Sequence, residues 1–269
     1  MTSRGFVRWQ RDGWDGLAAA ERIVEPAACL AAAAATPDRA SRHARLVRLA
    51  SDGGTVFVKA FPAPGGWRAR RAFRMGRALA AAGFGAPDVV VVGRRRREGL
   101  LVTRDVGGVD VATAVAARRD DRAAKRALLR ALGAEVGRLH AAGFVHGDLV
   151  PPNVHLAGDR FVFLDNDRTR RSRILVRLAA RRNLVQLGRF VVPGVTVTDR
   201  LRVLVAYARA RGLAPGARRR LARWLVEKTT GRRCAIDRIA PEAARRAGFR
   251  ELMRSGGPFD PARTAGETP

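Results

Sequence analysis

The sequence lacks the features that mark several classes of protein. Its two cysteines, Cys29 and Cys234, lie far apart and match no metal-ligand spacing, so neither a disulfide framework nor a zinc site is expected. The longest run of small apolar residues, from Pro26 to Ala35, is too short to cross a bilayer, which takes roughly 20 residues. Residues 1–10 contain no apolar segment, so no signal peptide is expected. Together these absences favour a cytoplasmic protein.

Acidic residues and lysine are also scarce. The 269 residues include 52 Lys+Arg and 24 Asp+Glu, which gives a formal charge of +28 that is carried mainly by arginine. Such a charge favours anionic partners, although simple solvation of the surface explains it equally well. With 47% hydrophobic residues, the chain is able to bury a substantial core in one larger domain or in two lobes.

The first half of the chain has the pattern of a strand-rich lobe. Residues 45–50 and 55–61 combine apolar and β-branched residues on either side of a turn sequence, which predicts a β-hairpin. Helix formers occupy residues 67–82, and two further apolar strands are predicted at residues 88–92 and 100–103. The predicted order is therefore strand, strand, helix, strand, strand.

The second half is mainly helical, with one interruption. Residues 122–140 place apolar side chains at helical spacing, and further helices are predicted from Ile174 onward. Between them, residues 153–156 and 161–164 predict a second hairpin around a turn. We therefore expect an α+β fold in which strands precede helices.

Three polar residues flank this second hairpin at a spacing typical of phosphoryl transfer. Asp148 precedes Asn153 by the four-residue gap of the protein-kinase loop, where the Asp accepts the hydroxyl proton and the Asn ligates Mg²⁺. Asp165 and Asn153 should lie at the open ends of the hairpin, on strands roughly 5 Å apart. The pattern predicts Asp148 as the catalytic base and Asn153 and Asp165 as magnesium ligands, and simple turn or capping roles are the weaker explanation.

Phosphoryl transfer also needs a cation on the nucleotide phosphates, and Lys59 is the candidate. It is embedded in an apolar strand, as is the lysine of the kinase V-A-I-K motif. The alternative is a solvent-facing lysine on an edge strand. His140 and His146, in contrast, are interpreted as packed core residues and are not included in the catalytic set.

Taken together, these motifs resemble the lipopolysaccharide core kinase family, which comprises Kdo and heptose kinases and their relatives. The stretches that carry the resemblance are TVFVKAF, LHAAGFVHGDLVPPNVHL, FVFLDNDR, RRNLVQLGRF and TDRLRVLVAYARARG, which span about residues 40–230. The catalytic and metal motifs are common to all kinase-like phosphotransferases. The last two stretches discriminate this family from the others.

The resemblance implies a fold, an activity and a location. The fold would be protein-kinase-like and two-lobed, with an antiparallel N-lobe over residues 1–104 and a helical C-lobe over residues 105–255. Residues 256–269 are rich in Pro and Gly, and this composition predicts a flexible tail. The activity would be phosphorylation, dependent on ATP and Mg²⁺, of a sugar hydroxyl in a cell-envelope glycolipid at the cytoplasmic face of the inner membrane. By matching motif, Asp148 would be the base, Asn153 and Asp165 the metal ligands, and Lys59 the residue that contacts ATP.

One departure from the kinase pattern concerns Lys59. The helix after the lysine strand usually supplies a glutamate that pairs with the lysine, but no acidic residue occurs between Lys59 and Asp88. Either Asp165 or another carboxylate holds the lysine, or nucleotide binding is weakened.

The distribution of charge favours an anionic acceptor. Acidic residues are few between Arg168 and Arg250, whereas arginines are abundant. A cationic aminoglycoside would need a carboxylate-lined pocket, whereas an anionic sugar would be bound by guanidinium groups. Arg168 is the candidate substrate-binding residue, and neighbouring arginines are further candidates or simply a solvated turn. The same arginines would allow peripheral contact with an anionic membrane surface, whereas nucleic acid is not the expected partner.

Two alternatives to the sugar kinase remain open. One is a phosphotransferase for small molecules of the aminoglycoside type. The other is a catalytically weak kinase fold that binds anionic partners, as suggested by the absent helix glutamate and the charge of +28.

Overall fold

The protein structure is a computed structural model that describes residues 5–21, 23–35, 37–41, 43–51, 53–172, 174 and 176–264. This part of the chain divides into two compact units. The first unit runs to Gly107 and includes a second segment, Val162–Thr169. The second unit consists of Gly108–Phe161 and the chain from Arg170 onward. The expected boundary after residue 104 lies close to Gly107, but that expectation did not include the return of the chain to the first unit.

The first unit is rich in strands. In chain order, its elements are β1 (Phe6–Arg11), β2 (Trp14–Ala19), α1 (Pro26–Ala34), β3 (Arg39–Ser41), β4 (Ala44–Ser51), β5 (Gly54–Phe61), α2 (Gly66–Ala81), β6 (Val89–Arg95) and β7 (Glu98–Arg104). The predicted order of strand, strand, helix, strand, strand corresponds to β4, β5, α2, β6 and β7 and is confirmed. β1, β2, β3 and α1 are additional to it.

The strands of the first unit form one antiparallel sheet in the order β1-β2-β6-β7-β5-β4-β3. β5 is an interior strand, and Lys59 lies opposite Leu46 of β4 and Leu101 of β7. The alternative that placed Lys59 on an edge strand is therefore wrong. As an interior strand, β5 is held by ladder hydrogen bonds to a neighbouring strand on each side.

Side chains alternate between the two faces of this sheet along each strand. Apolar side chains are buried on both faces. Val58 and Val91 are buried in a cluster that includes Cys29 of α1. Val92 is buried on the opposite side, in a cluster with Phe73 of α2. α1 and α2 therefore pack on opposite faces of the sheet, and α2 covers the face opposite to Val58.

The second unit is mainly helical. Its elements are β8 (Val109–Asp110), α3 (Val111–Ala116), α4 (Arg122–Ala141), β9 (Phe144–Val145), β10 (Val154–Ala157), β11 (Arg160–Phe163), β12 (Arg170–Arg171), α5 (Val176–Gly188), α6 (Val197–Ala210), α7 (Pro215–Asp237), α8 (Pro241–Leu252) and α9 (Pro261–Thr264). The chain passes into the first unit along β11 and returns at β12. β10 and β11 are the two strands of the predicted second hairpin, and the predicted α+β class is confirmed.

The ends of several helices follow from local sequence. The carboxylates of Asp110 and Asp121 accept backbone N–H bonds at the start of α3 and α4. Thr196 and Asp199 form a reciprocal capping box at the start of α6. In the described residues, none of the helices combines the length and apolar character that crossing a membrane requires.

α4 and α6 approach each other closely because glycine lies at their contact. A Cβ atom on Gly133 would lie 2.2 Å from the carbonyl oxygen of Val203, and one on Gly137 would lie 2.6 Å from the Cβ of Ala210. The two helices are therefore in backbone contact at these positions. This contact fixes the spacing between His140 of α4 and the neighbouring residues of α6.

The C-terminal segment differs from the sequence expectation. Residues 256–269 were expected to form a flexible tail, but residues 256–264 form a turn followed by α9. The Asp260 carboxylate accepts the backbone N–H groups of Gly256 and Ala262, at 2.5 and 3.1 Å. Arg233 of α7 donates to the Phe259 carbonyl. The composition of this segment is typical of a loop, but these side-chain bonds hold it in place. Residues 265–269 lie outside the described residues.

Candidate functional site

In the first unit, Lys59 forms an ion pair with Asp165. Lys59 Nζ lies 2.6 Å from Asp165 Oδ1, and the side chain of Lys59 is 21% exposed. The same ammonium group lies 5.2 Å from the centre of the Phe61 ring. Of the two outcomes considered for the missing helix glutamate, the structure therefore shows the one in which Asp165 holds the lysine.

Asp165 occupies an unusual backbone conformation. Its φ and ψ are 54° and 55°, in the left-handed region that few non-glycine residues adopt. Such residues persist only where the surroundings hold them, and they cluster at functional sites. Here Asn166 donates to the Phe163 carbonyl at 2.7 Å, and Thr169 donates to Asn166 Oδ1 at 3.1 Å. These bonds keep the turn in the shape that presents the Asp165 carboxylate to Lys59.

A second carboxylate in this turn, that of Asp167, was not singled out from the sequence. It is almost fully buried, and its Oδ2 lies 2.5 Å from Nη2 of Arg68 on α2. The contact is an ion pair without the alignment of a hydrogen bond. Burial, with a smaller contribution from the neighbouring Asp165 carboxylate, raises the pKa of Asp167 to about 6. Its only sequence signal is its place two residues after the predicted metal ligand.

Arg168, the predicted substrate residue, is exposed in the first unit. Together with Trp67, Arg68 and His43 it lines a pocket of about 230 Å³, whose wall also includes residues 62–65. Arg168 forms no ion pair with any residue that the structure describes. Its guanidinium is thus available to an anion from solution, and Trp67 adds a half-exposed aromatic surface to the same pocket.

In the second unit, Asp148 lies on the loop between β9 and a 3₁₀ helix at Pro151–Asn153, and its groups are fixed by hydrogen bonds. Its backbone N–H donates to Nδ1 of His146 at 3.1 Å, so this nitrogen is unprotonated. Gln186 Nε2 donates to Asp148 Oδ1 at 3.1 Å. A half-buried carboxylate that accepts one directed bond retains its second oxygen as a proton acceptor.

Asn153 is oriented by the same loop. Its Nδ2 donates to the backbone carbonyl of Asp148 at 2.9 Å. The amide oxygen accepts no side-chain or backbone bond within the described residues, and it is a ligand atom of the kind that Mg²⁺ prefers. In the first unit, Asp165 offers a carboxylate beside the ammonium of Lys59. Each of these sets has the chemistry expected for residues that bind Mg²⁺ and nucleotide phosphates.

Two residues of α5 hold the loop and were not identified as site residues from the sequence. Asn183 accepts the His146 N–H at 3.0 Å, and it donates to the His146 carbonyl at 2.6 Å and to Gln186 Oε1 at 2.9 Å. Gln186 also accepts the N–H of Leu149 at 3.2 Å. Their signal in the sequence is the i, i+3 spacing on one helix face. Nothing in the sequence, however, shows which loop that face contacts.

The same network continues into the core through His140. Its Nε2 lies 3.1 Å from Asn183 Oδ1, and its Nδ1 lies 3.1 Å from the Tyr207 hydroxyl. Because Asn183 Oδ1 is an acceptor, Nε2 carries the proton and Nδ1 accepts from Tyr207. Burial lowers the pKa of His140 to about 4. The prediction that His140 and His146 are packed core residues is confirmed, since both are buried.

An apolar cavity of about 240 Å³ lies in the second unit, with Pro151 in its wall. Its one titratable wall residue is Arg200, and burial lowers the pKa of that guanidinium to about 10. Arg200 donates to the carbonyls of Gly188 and Phe190. Among the described residues that line it, none has a side-chain carboxylate or amide, which distinguishes the cavity from the polar loop around Asp148.

Comparisons with known proteins identify one matching family. The model of one family, described as the lipopolysaccharide kinase (Kdo/WaaP) family, matches residues 57–207, a range that includes Lys59, Asp148, Asn153 and Asp165. No curated protein matches the chain. A crystal structure of an aminoglycoside-3'-phosphotransferase of type VIII is similar over 71% of this chain and 91% of that chain, with 19% identity and a TM-score of 0.47.

Proposed function

Because the chain belongs to the lipopolysaccharide kinase (Kdo/WaaP) family, we propose that it phosphorylates a sugar hydroxyl of a lipopolysaccharide core or a related envelope glycolipid. Family membership makes the chain a phosphotransferase with a kinase-like fold. The donor in this proposal is ATP with Mg²⁺, which supplies the γ-phosphoryl group and the counter-charge that phosphoryl transfer needs. The assignment of roles to individual residues follows from the contacts of each residue.

The contact between Lys59 and Asp165 carries the proposal. A kinase-like lysine without a carboxylate partner would favour an inactive relative, and the helix that normally supplies the partner has no acidic residue. The distance of 2.6 Å between Lys59 Nζ and Asp165 Oδ1 answers that objection. We assign Lys59 to the ATP phosphates and Asp165 to Mg²⁺.

The loop of the second unit supplies the proposed base. Asp148 would accept the proton that the acceptor hydroxyl loses, with the oxygen that Gln186 does not engage. The fixed position of Gln186 keeps the carboxylate from rotating, which favours proton acceptance in one direction. Asn153 is assigned to Mg²⁺ through its amide oxygen, because its amide nitrogen donates to the Asp148 carbonyl.

The proposed acceptor is anionic, and Arg168 is assigned to it. Its exposed guanidinium forms no ion pair within the described residues, and Arg68 and Trp67 line the same pocket. Arginine binds carboxylate and phosphate oxygens in pairs, whereas an exposed aromatic ring packs against the apolar face of a sugar. A sugar acid or a phosphorylated sugar suits this combination better than a cationic aminoglycoside. We further propose that the enzyme works in the cytoplasm, in peripheral contact with the inner membrane face.

Transfer of phosphate from ATP to defined acceptors tests the function. The wild type, with Mg²⁺, is expected to phosphorylate core oligosaccharides that contain Kdo or heptose, whereas Asp148→Asn should lower kcat by about 10²- to 10⁴-fold without changing the fold. Asp120→Asn, which alters an exposed carboxylate, is the matched control and should retain full activity.

Two results would contradict the proposal. The first is that the wild type neither turns over ATP nor shows a higher melting temperature with Mg·ATP. The second is that it phosphorylates aminoglycosides but not the envelope sugars, which would favour the small-molecule alternative.

A further inference from the structure

α2 presents cations where a kinase helix presents an anion. Protein kinases use a glutamate of this helix to hold the strand lysine, but residues 60–87 contain neither Asp nor Glu. α2 instead carries Arg68 and Arg71, three positions apart and hence on one face of the helix. The helix therefore cannot hold Lys59 directly. Any effect of α2 on Lys59 has to pass through a negatively charged group.

Both arginines contact the turn that carries Asp165. Arg68 Nη2 pairs with Asp167 Oδ2 at 2.5 Å, and the two side chains are only 11% and 3% exposed. Arg71 donates to the Thr169 carbonyl from Nε and Nη2, at 3.2 and 3.1 Å. Thr169 in turn bonds to Asn166. The turn is therefore attached to α2 at two points, one on each side of Arg168.

The charges in this region alternate in sign. Lys59 faces Asp165, and Arg68 faces Asp167, with the two carboxylates only two residues apart in the same turn. A buried carboxylate that loses its cation is strongly unfavourable, and it seeks the nearest remaining cation. The other cation whose charge acts on Asp167 is Lys59. Asp167 would then compete with Asp165 for the lysine.

We propose that Arg68 is a positioning residue, which neutralises Asp167 and thereby reserves Lys59 for Asp165. α2 thus performs with an arginine, through an intervening aspartate, the task that the helix glutamate performs in protein kinases. The inference rests on the proposed function of Lys59 and Asp165, and it adds to that function the element that controls their pairing.

Substitutions that separate charge from size test the proposal. Arg68→Gln and Arg68→Glu have side chains of nearly equal volume, so a purely steric role predicts the same defect for both. The proposal predicts that Arg68→Gln raises the Mg²⁺ concentration for half-maximal activity about tenfold and that Arg68→Glu, which adds a like charge beside Asp167, raises it about 100-fold. Arg68→Lys should stay within about threefold of the wild type. Arg74→Gln and Arg74→Glu, on the exposed face of α2, are the matched controls and should leave activity unchanged.

Crystal structures of the wild type and of both Arg68 variants provide a readout that is independent of turnover. In the variants, Lys59 Nζ is expected to lie closer to Asp167 than to Asp165.

Equal activity of Arg68→Gln, Arg68→Glu and the wild type would overturn the proposal, as would an unchanged Lys59–Asp165 contact in the variants. If Arg68→Glu does not fold, Arg68→Gln and Arg68→Lys still test the proposal. It predicts that the Mg²⁺ concentration for half-maximal activity rises about tenfold in Arg68→Gln and stays within about threefold of the wild type in Arg68→Lys. Absence of ATP turnover in the wild type would count against the proposed function alone, since the crystallographic distances still test the positioning role.

Discussion

At the scale of single residues, Gln186 controls the orientation of the proposed base. Its bond to Asp148 Oδ1 is lost in Gln186→Leu, which should lower kcat about 10- to 100-fold with little change in the KM for ATP, because only the base is misaligned. Steady-state kinetics and a melting curve measure the two effects. Gln10→Leu is the control, since Gln10 is exposed on β1. A Gln186→Leu variant with the wild-type kcat would show that the bond does not orient the base.

His140 makes stability depend on pH. Its pKa of about 4 in the folded protein lies below the usual 6.5, so its contribution is fully present above pH 6.5 and is lost as pH falls toward 4. Between pH 7 and pH 5, the free energy of unfolding of the wild type relative to His140→Gln should fall by about 2 kcal/mol. Asp167, whose raised pKa acts in the opposite direction, is present in both proteins and cancels.

Urea unfolding of both proteins at the two pH values measures this difference. A difference that stays constant from pH 7 to pH 5 would mean that His140 is not held in its neutral form.

Residues of the candidate site differ in how far the sequence predicts them. Asp148 and Asn153 are close in the chain, and a local motif is sufficient to propose their roles. Asn183, Gln186 and Arg68 act through contacts with segments far away in the sequence, so no local pattern identifies them. For the same reason, the sequence alone does not show which carboxylate pairs with Lys59.

At the scale of elements, the contact between α4 and α6 tolerates no side chain at Gly133. Gly133→Ala places a methyl group against the Val203 carbonyl and should lower the free energy of unfolding by about 1–3 kcal/mol. Gly231→Ala is the matched control, because Gly231 lies in α7 with no atom near its added Cβ. It should raise stability by about 0.5–1 kcal/mol, since alanine favours helix. If urea unfolding gives the same change in the free energy of unfolding for Gly133→Ala and Gly231→Ala, α4 and α6 are not in backbone contact.

The elements that the sequence does not predict have weak patterns. β1 lies at the edge of the sheet, and most of its side chains are exposed, so apolar and polar residues do not alternate strictly. α1 consists largely of alanine, which carries little amphipathic signal. In contrast, β5 has a buried face with Val56 and Val58, and the apolar periodicity of such a strand predicts it from the sequence.

At the scale of the whole molecule, the charge of +28 predicts binding to anionic membranes. Vesicles that contain phosphatidylglycerol should bind the protein in sedimentation assays, and added salt should weaken the binding because it screens exposed charges. Neutral phosphatidylcholine vesicles are the control. Equal binding to both kinds of vesicle would remove the charge as an explanation. The overall α+β class and a boundary near Gly107 follow from the sequence, but the return of Val162–Thr169 to the first unit does not, because it depends on long-range contacts.

The return of Val162–Thr169 to the first unit has a consequence for biosynthesis. The ribosome releases residues up to Gly107 well before it makes this segment, so Lys59 and Arg68 emerge without the carboxylates they pair with. The first unit can complete its folding only after Val162–Thr169, which follows Gly108–Phe161 in the chain, has been translated. An N-terminal fragment cut at Gly107 would therefore be an unfinished domain, whereas a cut after Thr169 would divide the second unit, so neither position separates two complete units.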